Sequence, residues 1–152
     1  MRILHLCDSL NPAGLGGYES YLHYLSRVFS QDAHSSFIVT QSPEHDSELL
    51  VPHEFYDLYH LPGNYLEARK WQFLSSPQDQ WTRLAEEMFV PDDLVRNIEA
   101  LIVQLQELLT TLNPDIIHAH STYIVFNHVL EEMRDFLRES NIPIVATIHG
   151  LP

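Results

Sequence analysis

The chain has 152 residues, 45% of them hydrophobic and 19% charged, the size and composition of a single water-soluble domain with a core of its own. Eight Lys and Arg against 21 Asp and Glu leave a formal charge of −13 with the histidines neutral, which argues against a nucleic-acid partner and against strong docking on anionic lipid, since both draw on Lys and Arg. No apolar run reaches the ~18–20 residues that cross a bilayer, and one cysteine excludes an internal disulfide and suits a reducing compartment.

The N-terminus, Met1-Arg2-Ile3-Leu4-His5-Leu6-Cys7-Asp8, is too soon interrupted by Asp8 to serve as a secretory leader, so the expected location is the cytoplasm. Its apolar part has no helical period and runs into Asn11-Pro12-Ala13-Gly14-Leu15-Gly16-Gly17, which predicts a strand, Ile3–Cys7, followed by a loop. Cys7 reads as a buried strand residue without a chemical role. From Tyr18 to Ser30, Tyr21, Leu22, Leu25, Val28 and Phe29 recur at helical spacing, with Glu19 placed in the first turn to suit the helix dipole. Ser36–Gln41 is a second strand and Asp57–Leu61 a third, with Pro62-Gly63 as its stop.

Between Pro43 and Pro91 the alternation of strand and helix is interrupted by an elaborated segment. It holds Phe55, Tyr56, Tyr59, Tyr65, Trp71, Phe73 and Trp81, which read as local core ahead of a sugar-stacking surface. Within it, Ser76-Pro77 opens a helix that should run to about Phe89. Pro91-Asp92-Asp93 opens the clearest helix of the chain. Leu94, Val95, Ile98, Leu101, Ile102, Leu105, Leu108, Leu109 and Leu112 form its wide apolar stripe, and Asn113-Pro114 ends it. A strand then spans Ile116–Ser121, Ser121 caps a helix to about Glu139, and a last strand covers Ile144–Ile148. Near-continuous apolar strands separated by helices make a doubly wound, mostly parallel α/β sheet, Rossmann-like, with both faces covered.

Three motifs stand at the ends of such strands: Gly14-Leu15-Gly16-Gly17-Tyr18-Glu19, His118-Ala119-His120-Ser121 and Thr147-Ile148-His149-Gly150. In a parallel sheet these ends border one crevice. Glycines at a helix N-terminus bring backbone N–H groups close to a phosphate, or simply make a tight turn. Glu19 stands where a dinucleotide fingerprint has Gly or Ala, and the Lys-Ser/Thr of a P-loop is absent. His118 and His120 share one strand face and fit either a metal, with His5, Asp8 or His149 as further ligands, or packed and ligand-facing roles. Of the two, His118 is expected inside and His120 at the ligand. Asp8 is placed to accept a hydrogen bond from a sugar or to cap the loop, and Thr147 shares a side with His149.

Taken together, Arg-Ile-Leu-His-Leu, Gly-Gly-x-Glu, Pro-Asp-Ile-Ile-His-Ala-His and Pro-Ile-Val-Ala-Thr-Ile-His-Gly resemble the N-terminal domain of family 4 glycosyltransferases of the GT-B fold, over Met1–Gln41 and Pro114–Gly150. The resemblance implies a retaining sugar transfer from a nucleotide-sugar, UDP- or GDP-linked, to an acceptor hydroxyl, with no metal and no other cofactor. It makes Gly16 and Gly17 the diphosphate-facing glycines and His120 the catalytic histidine beside the transferred sugar. Asp8, Tyr18, Glu19, Ser121, Thr147, His149 and Gly150 are then expected to line the acceptor or sugar site.

The partners so implied are the nucleotide-sugar, a carbohydrate or glycolipid acceptor, and a C-terminal donor-binding domain in the same or a partner chain, with at most peripheral membrane contact at the inner face. That family continues beyond the point corresponding to Pro152 through a donor domain carrying paired glutamates, so residues 1–152 are expected to be a truncated N-terminal domain, inactive alone. Glu99/Glu107 and Glu131/Glu139 have the paired spacing but fall inside predicted helices and read as solvated faces. The alternatives are a non-catalytic subunit of a split enzyme and a metal-dependent hydrolase using His118 and His120.

Overall fold

A computed structural model of the chain describes residues 1–7, 10, 17–42, 50–62, 75–88, 91–120 and 125–147. In chain order these form β1 (Arg2–Cys7), α1 (Gly17–Gln31), β2 (Ser35–Ser42), β3 (Leu50–Pro52) and β4 (Asp57–Pro62). A 3₁₀ turn (Gln78–Gln80), α2 (Trp81–Met88), α3 (Pro91–Leu112), β5 (Ile116–His120), α4 (Val125–Glu132), α5 (Arg134–Glu139) and β6 (Ile144–Thr147) complete the described elements. The strands make one sheet in the order β3-β4-β2-β1-β5-β6, parallel throughout except for β3, which runs against β4.

Strand alternation sorts the side chains of this sheet into two unlike layers. Leu4 and Leu6 of β1, Phe37 and Val39 of β2, Leu61 of β4 and Ile117 of β5 bury one face against Leu101, Leu105, Leu109 and Leu112 of α3, Phe126 and Val129 of α4, and Leu137 of α5. That layer is apolar but for Gln41 and holds the main core; each fully buried Leu or Phe side chain in it contributes about 1.5–3 kcal/mol by leaving water. The other face carries Cys7, Ile38 and Leu58 against Leu22 of α1. It also buries His5, Ser36, Thr40 and His120, together with Ser26 of α1, so polar groups are concentrated between the sheet and α1.

The strand order reverses at β1. The chain leaves β1 for β2 and β4 on one side and returns to β5 and β6 on the other. Between β1 and β5 the connections diverge to opposite faces and open the crevice in which doubly wound sheets bind ligands. Cys7 and His120, the last residues of β1 and β5, are register partners there, and His120 is in turn opposite Thr147.

Several expectations are refined. The sheet has an extra antiparallel strand, β3, whose three residues are too few to show a period. The helix expected to run unbroken to Glu139 is divided at Met133 (φ −82°, ψ 3°), with Met133 buried against the core and α5 beginning at Arg134; Ser121 lies outside the described residues. The segment after Ser76-Pro77 starts as a 3₁₀ turn before α2, and Trp81 donates its indole N–H to the Ser76 carbonyl at 3.0 Å. β6 is not covered on both faces among the described residues: Ile144 and Val145 remain 43% and 47% exposed, because β6 is the outermost described strand. Glu99, Glu107, Glu131 and Glu139 are all exposed on helices, as expected of solvated faces.

Candidate functional site

The register of β1 with β5 builds the site. His5 is the Cα partner of His118, and Cys7 that of His120. Because parallel partners point to the same face, His5, His118 and His120 all project from the sheet toward α1. Nδ1 of His5 meets Nε2 of His120 at 3.1 Å. The rings of His118 and His120 stand 3.8 Å apart between centroids, and each lies between 5 and 6 Å from the His5 ring, at 5.5 and 5.3 Å. One donor nitrogen from each of the three falls within 4.8 Å of those of the other two.

Neighbouring elements lock these rings. Phe29 of α1 stacks on His5 at 6.0 Å with an interplanar angle of 14°. Tyr21, about one turn from the start of α1, meets His120 edge-on at 6.1 Å. From β6, the Thr147 hydroxyl hydrogen-bonds Nε2 of His118 at 2.8 Å, tying β5 to its outer neighbour. Cys7 is buried and its thiol donates to the Val39 carbonyl at 3.6 Å, in keeping with a packing role.

The electrostatics follow from burial. His5 has no accessible surface, and its pKa falls from 6.5 to about 3, first because burial penalises the imidazolium and second because His118 lies beside it. The ring is therefore neutral at ordinary pH. In the His5–His120 contact one nitrogen donates and the other accepts, so both rings are held in complementary tautomers. Nε2 of His5 is buried and meets no hydrogen-bond partner among the described residues.

The expected exposures of the two β5 histidines are exchanged. His118, expected to be the packed one, is half-buried, whereas His120, at the strand end, is 1% exposed beneath Tyr21 and against His5. His120 has the Tyr21 ring on one side and His5 on the other. Thr147 is brought to the same cluster through His118. Gly17, Tyr18 and Glu19 fall in the first turn of α1, so the glycine sequence does lead into a helix N-terminus. Asp8, Gly16, Ser121, His149 and Gly150 lie outside the described residues. His5 was foreseen only as one of several possible metal ligands. The signal that singles it out is a polar residue at an inward position of an otherwise apolar strand, Ile3-Leu4-His5-Leu6-Cys7.

Comparison with known proteins bears out the family resemblance and the fold. The sequence profile described as Glycosyltransferase Family 4 matches residues 15–152. No curated protein matches the chain in sequence. Among solved structures, a sucrose-phosphate synthase from Thermosynechococcus elongatus superposes with a TM-score of 0.59 at 11% identity, covering 99% of this chain and 64% of that one. A structure titled as apo OtsA gives 0.50 at 17% identity over 100% of this chain and 34% of that one. An E. coli structure titled for trehalose-6-phosphate, bound with UDP-2-fluoro glucose, gives 0.48 at 19% identity over the same shares, 100% and 34%. The chain thus spans less than two thirds of the length of each structure it resembles, and at these identities the first two likenesses establish the fold, a Rossmann-like α/β sheet of the GT-B kind.

Proposed function

The chain belongs to Glycosyltransferase Family 4, and on that footing we propose that it is the acceptor-side domain of a retaining, metal-independent transferase. The domain works with a C-terminal donor-binding domain, in the same or a partner chain, and moves a hexosyl unit from a UDP- or GDP-sugar to the hydroxyl of a carbohydrate or glycolipid acceptor. The observation that carries this reading is the meeting of His120, Thr147 and the end of β1 at the strand-order reversal, beside the helix that the glycine sequence opens.

The physical demand of the reaction is a place for two negative phosphates as they leave and for a sugar that gains positive character. Backbone N–H groups at the N-terminus of α1, approached through Gly16 and Gly17, answer the first by charge and by close approach. His120 answers the second. With Nε2 held by neutral His5, its ring keeps one tautomer and one orientation, and Nδ1 is the nitrogen that meets a sugar or acceptor hydroxyl. The Thr147–His118 hydrogen bond ties β5 to β6 on its other side. Tyr21 meets His120 edge-on, so a sugar that reaches His120 has to displace the Tyr21 ring. Asp8, Tyr18, Glu19, Ser121, His149 and Gly150 complete the proposed lining, and the site lies in a cytoplasmic protein with at most peripheral contact at the inner face of a membrane.

The test is to express the whole reading frame that contains residues 1–152 and to screen UDP- and GDP-sugars for acceptor-dependent release of the nucleoside diphosphate. Turnover of one nucleotide class, absent from residues 1–152 alone, supports the reading. A frame that ends at Pro152, whose product binds another chain and restores transfer there, favours a subunit of a split enzyme instead.

A further inference from the structure

We infer that His5, His118 and His120 form a three-imidazole site for a divalent transition metal of the zinc class, reached from the half-buried His118 side. The geometry carries it. Two ligands on one tetrahedral zinc, each ~2.0–2.1 Å from the ion, stand roughly 3.3 Å apart, and the His5 Nδ1 to His120 Nε2 separation is 3.1 Å. One nitrogen from each of the three rings, His118 included, belongs to a set spanning no more than 4.8 Å. Contraction of the widest separation by up to about 1.5 Å brings all three to the tetrahedral spacing of ~3.3 Å.

The surroundings suit a ligating set. Thr147 engages Nε2 of His118, and a partner on one ring nitrogen is the usual device that orients a ligating imidazole toward an ion with the other. The three donors come from two adjacent strands, β1 and β5, whose register fixes them before any ion arrives. Phe29 limits the motion of His5. The three donors found among the described residues are neutral imidazole nitrogens, a set that selects zinc, cobalt, nickel or copper over magnesium or calcium.

This inference rests on the proposed function only for its consequence: an ion on Nε2 of His120 replaces the His5 contact that sets the ring's tautomer and orientation, so the metal is an inhibitor of transfer and not its cofactor. Binding itself is tested without any transfer assay. The 152-residue chain, stripped with EDTA and desalted, is titrated with Co²⁺ and followed by its visible ligand-field bands, then challenged with Zn²⁺. The expected result is saturation at one ion per chain with the intense bands of four-coordination, bleached by Zn²⁺. His118→Ala, a half-buried position whose loss leaves the core intact, should weaken Co²⁺ at least about tenfold, while His53→Ala and His128→Ala, both exposed, should leave it unchanged. Circular dichroism of His118→Ala checks that the fold persists, and a Zn²⁺-dependent rise in the thermal midpoint of the unaltered chain, absent in that variant, gives a second readout. No saturable band, or binding that follows His53 or His128 and ignores His118, overturns the site. Metal binding with unimpaired transfer in the full-length protein would leave the site standing and refute the assigned role of His120.

Discussion

Acidification should unfold this domain through His5. The ring is fully buried, and its pKa in the fold is about 3 against an ordinary value of 6.5. Between those values the unfolded chain carries a proton that the folded chain refuses. Stability is therefore fully present above pH 6.5 and falls as the pH drops toward 3. Inside the window each pH unit costs about 1.4 kcal/mol, so passing from pH 7 to pH 5 removes about 2 kcal/mol, a large share of the 5–15 kcal/mol that holds a typical domain together. Urea unfolding at pH 7, 6 and 5, in the presence of EDTA, measures it. His5→Phe keeps a ring for Phe29 to stack upon and removes the titration, so its stability should fall less steeply than that of the unaltered chain, by about the same 2 kcal/mol over the interval. His60, whose pKa is also lowered by burial and by His53, titrates in both proteins and cancels in the difference. Parallel pH profiles for the two would refute the reasoning and place His5 in contact with water.

Two further outcomes follow from the packing. Phe126 has no accessible surface and joins α4 to the α3 layer, so Phe126→Ala should cost about 3–5 kcal/mol in urea unfolding; a loss below 1 kcal/mol would mean that α4 is not docked as described. Asn113 ends α3 with φ at 42°, a left-handed position where a β-branched side chain costs roughly 1–2 kcal/mol and glycine is tolerated. Thermal melts should show Asn113→Val destabilised and Asn113→Gly near the original midpoint, and equal midpoints for both would contradict that backbone assignment.

The strand-and-helix frame was legible wherever one element carried its own pattern. The apolar runs of β1, β2, β5 and β6 and the leucine stripe of α3 announce buried strands and a sheet-covering helix without reference to the rest of the chain, and each stands within a few residues of where it was expected. β3 was not legible because three residues on a sheet edge carry no period. The break at Met133 was hidden by apolar residues that continue at helical spacing through it: Val129, Met133 and Leu137 all reach the core, so the pattern is the same for one helix or two. At the site, the motifs showed which residue types end the strands, but the contact between His5 and His120 joins residues 115 positions apart. Only the pairing of β1 with β5 creates it, and no local spacing encodes that register. The exchanged burial of His118 and His120 has the same origin, since it depends on where α1 lies over the sheet.

The most direct measurement for the central claim is the rate of sugar transfer by the full-length protein carrying His120→Ala or Gly17→Val, beside the unaltered enzyme at saturating donor. Loss of a group that stabilises the transition state costs about 10²–10³ in kcat, and each variant is expected to fall by that order while its far-ultraviolet circular dichroism stays unchanged. Undiminished turnover in both, with the fold intact, would contradict the placement of the site at the ends of β1 and β5.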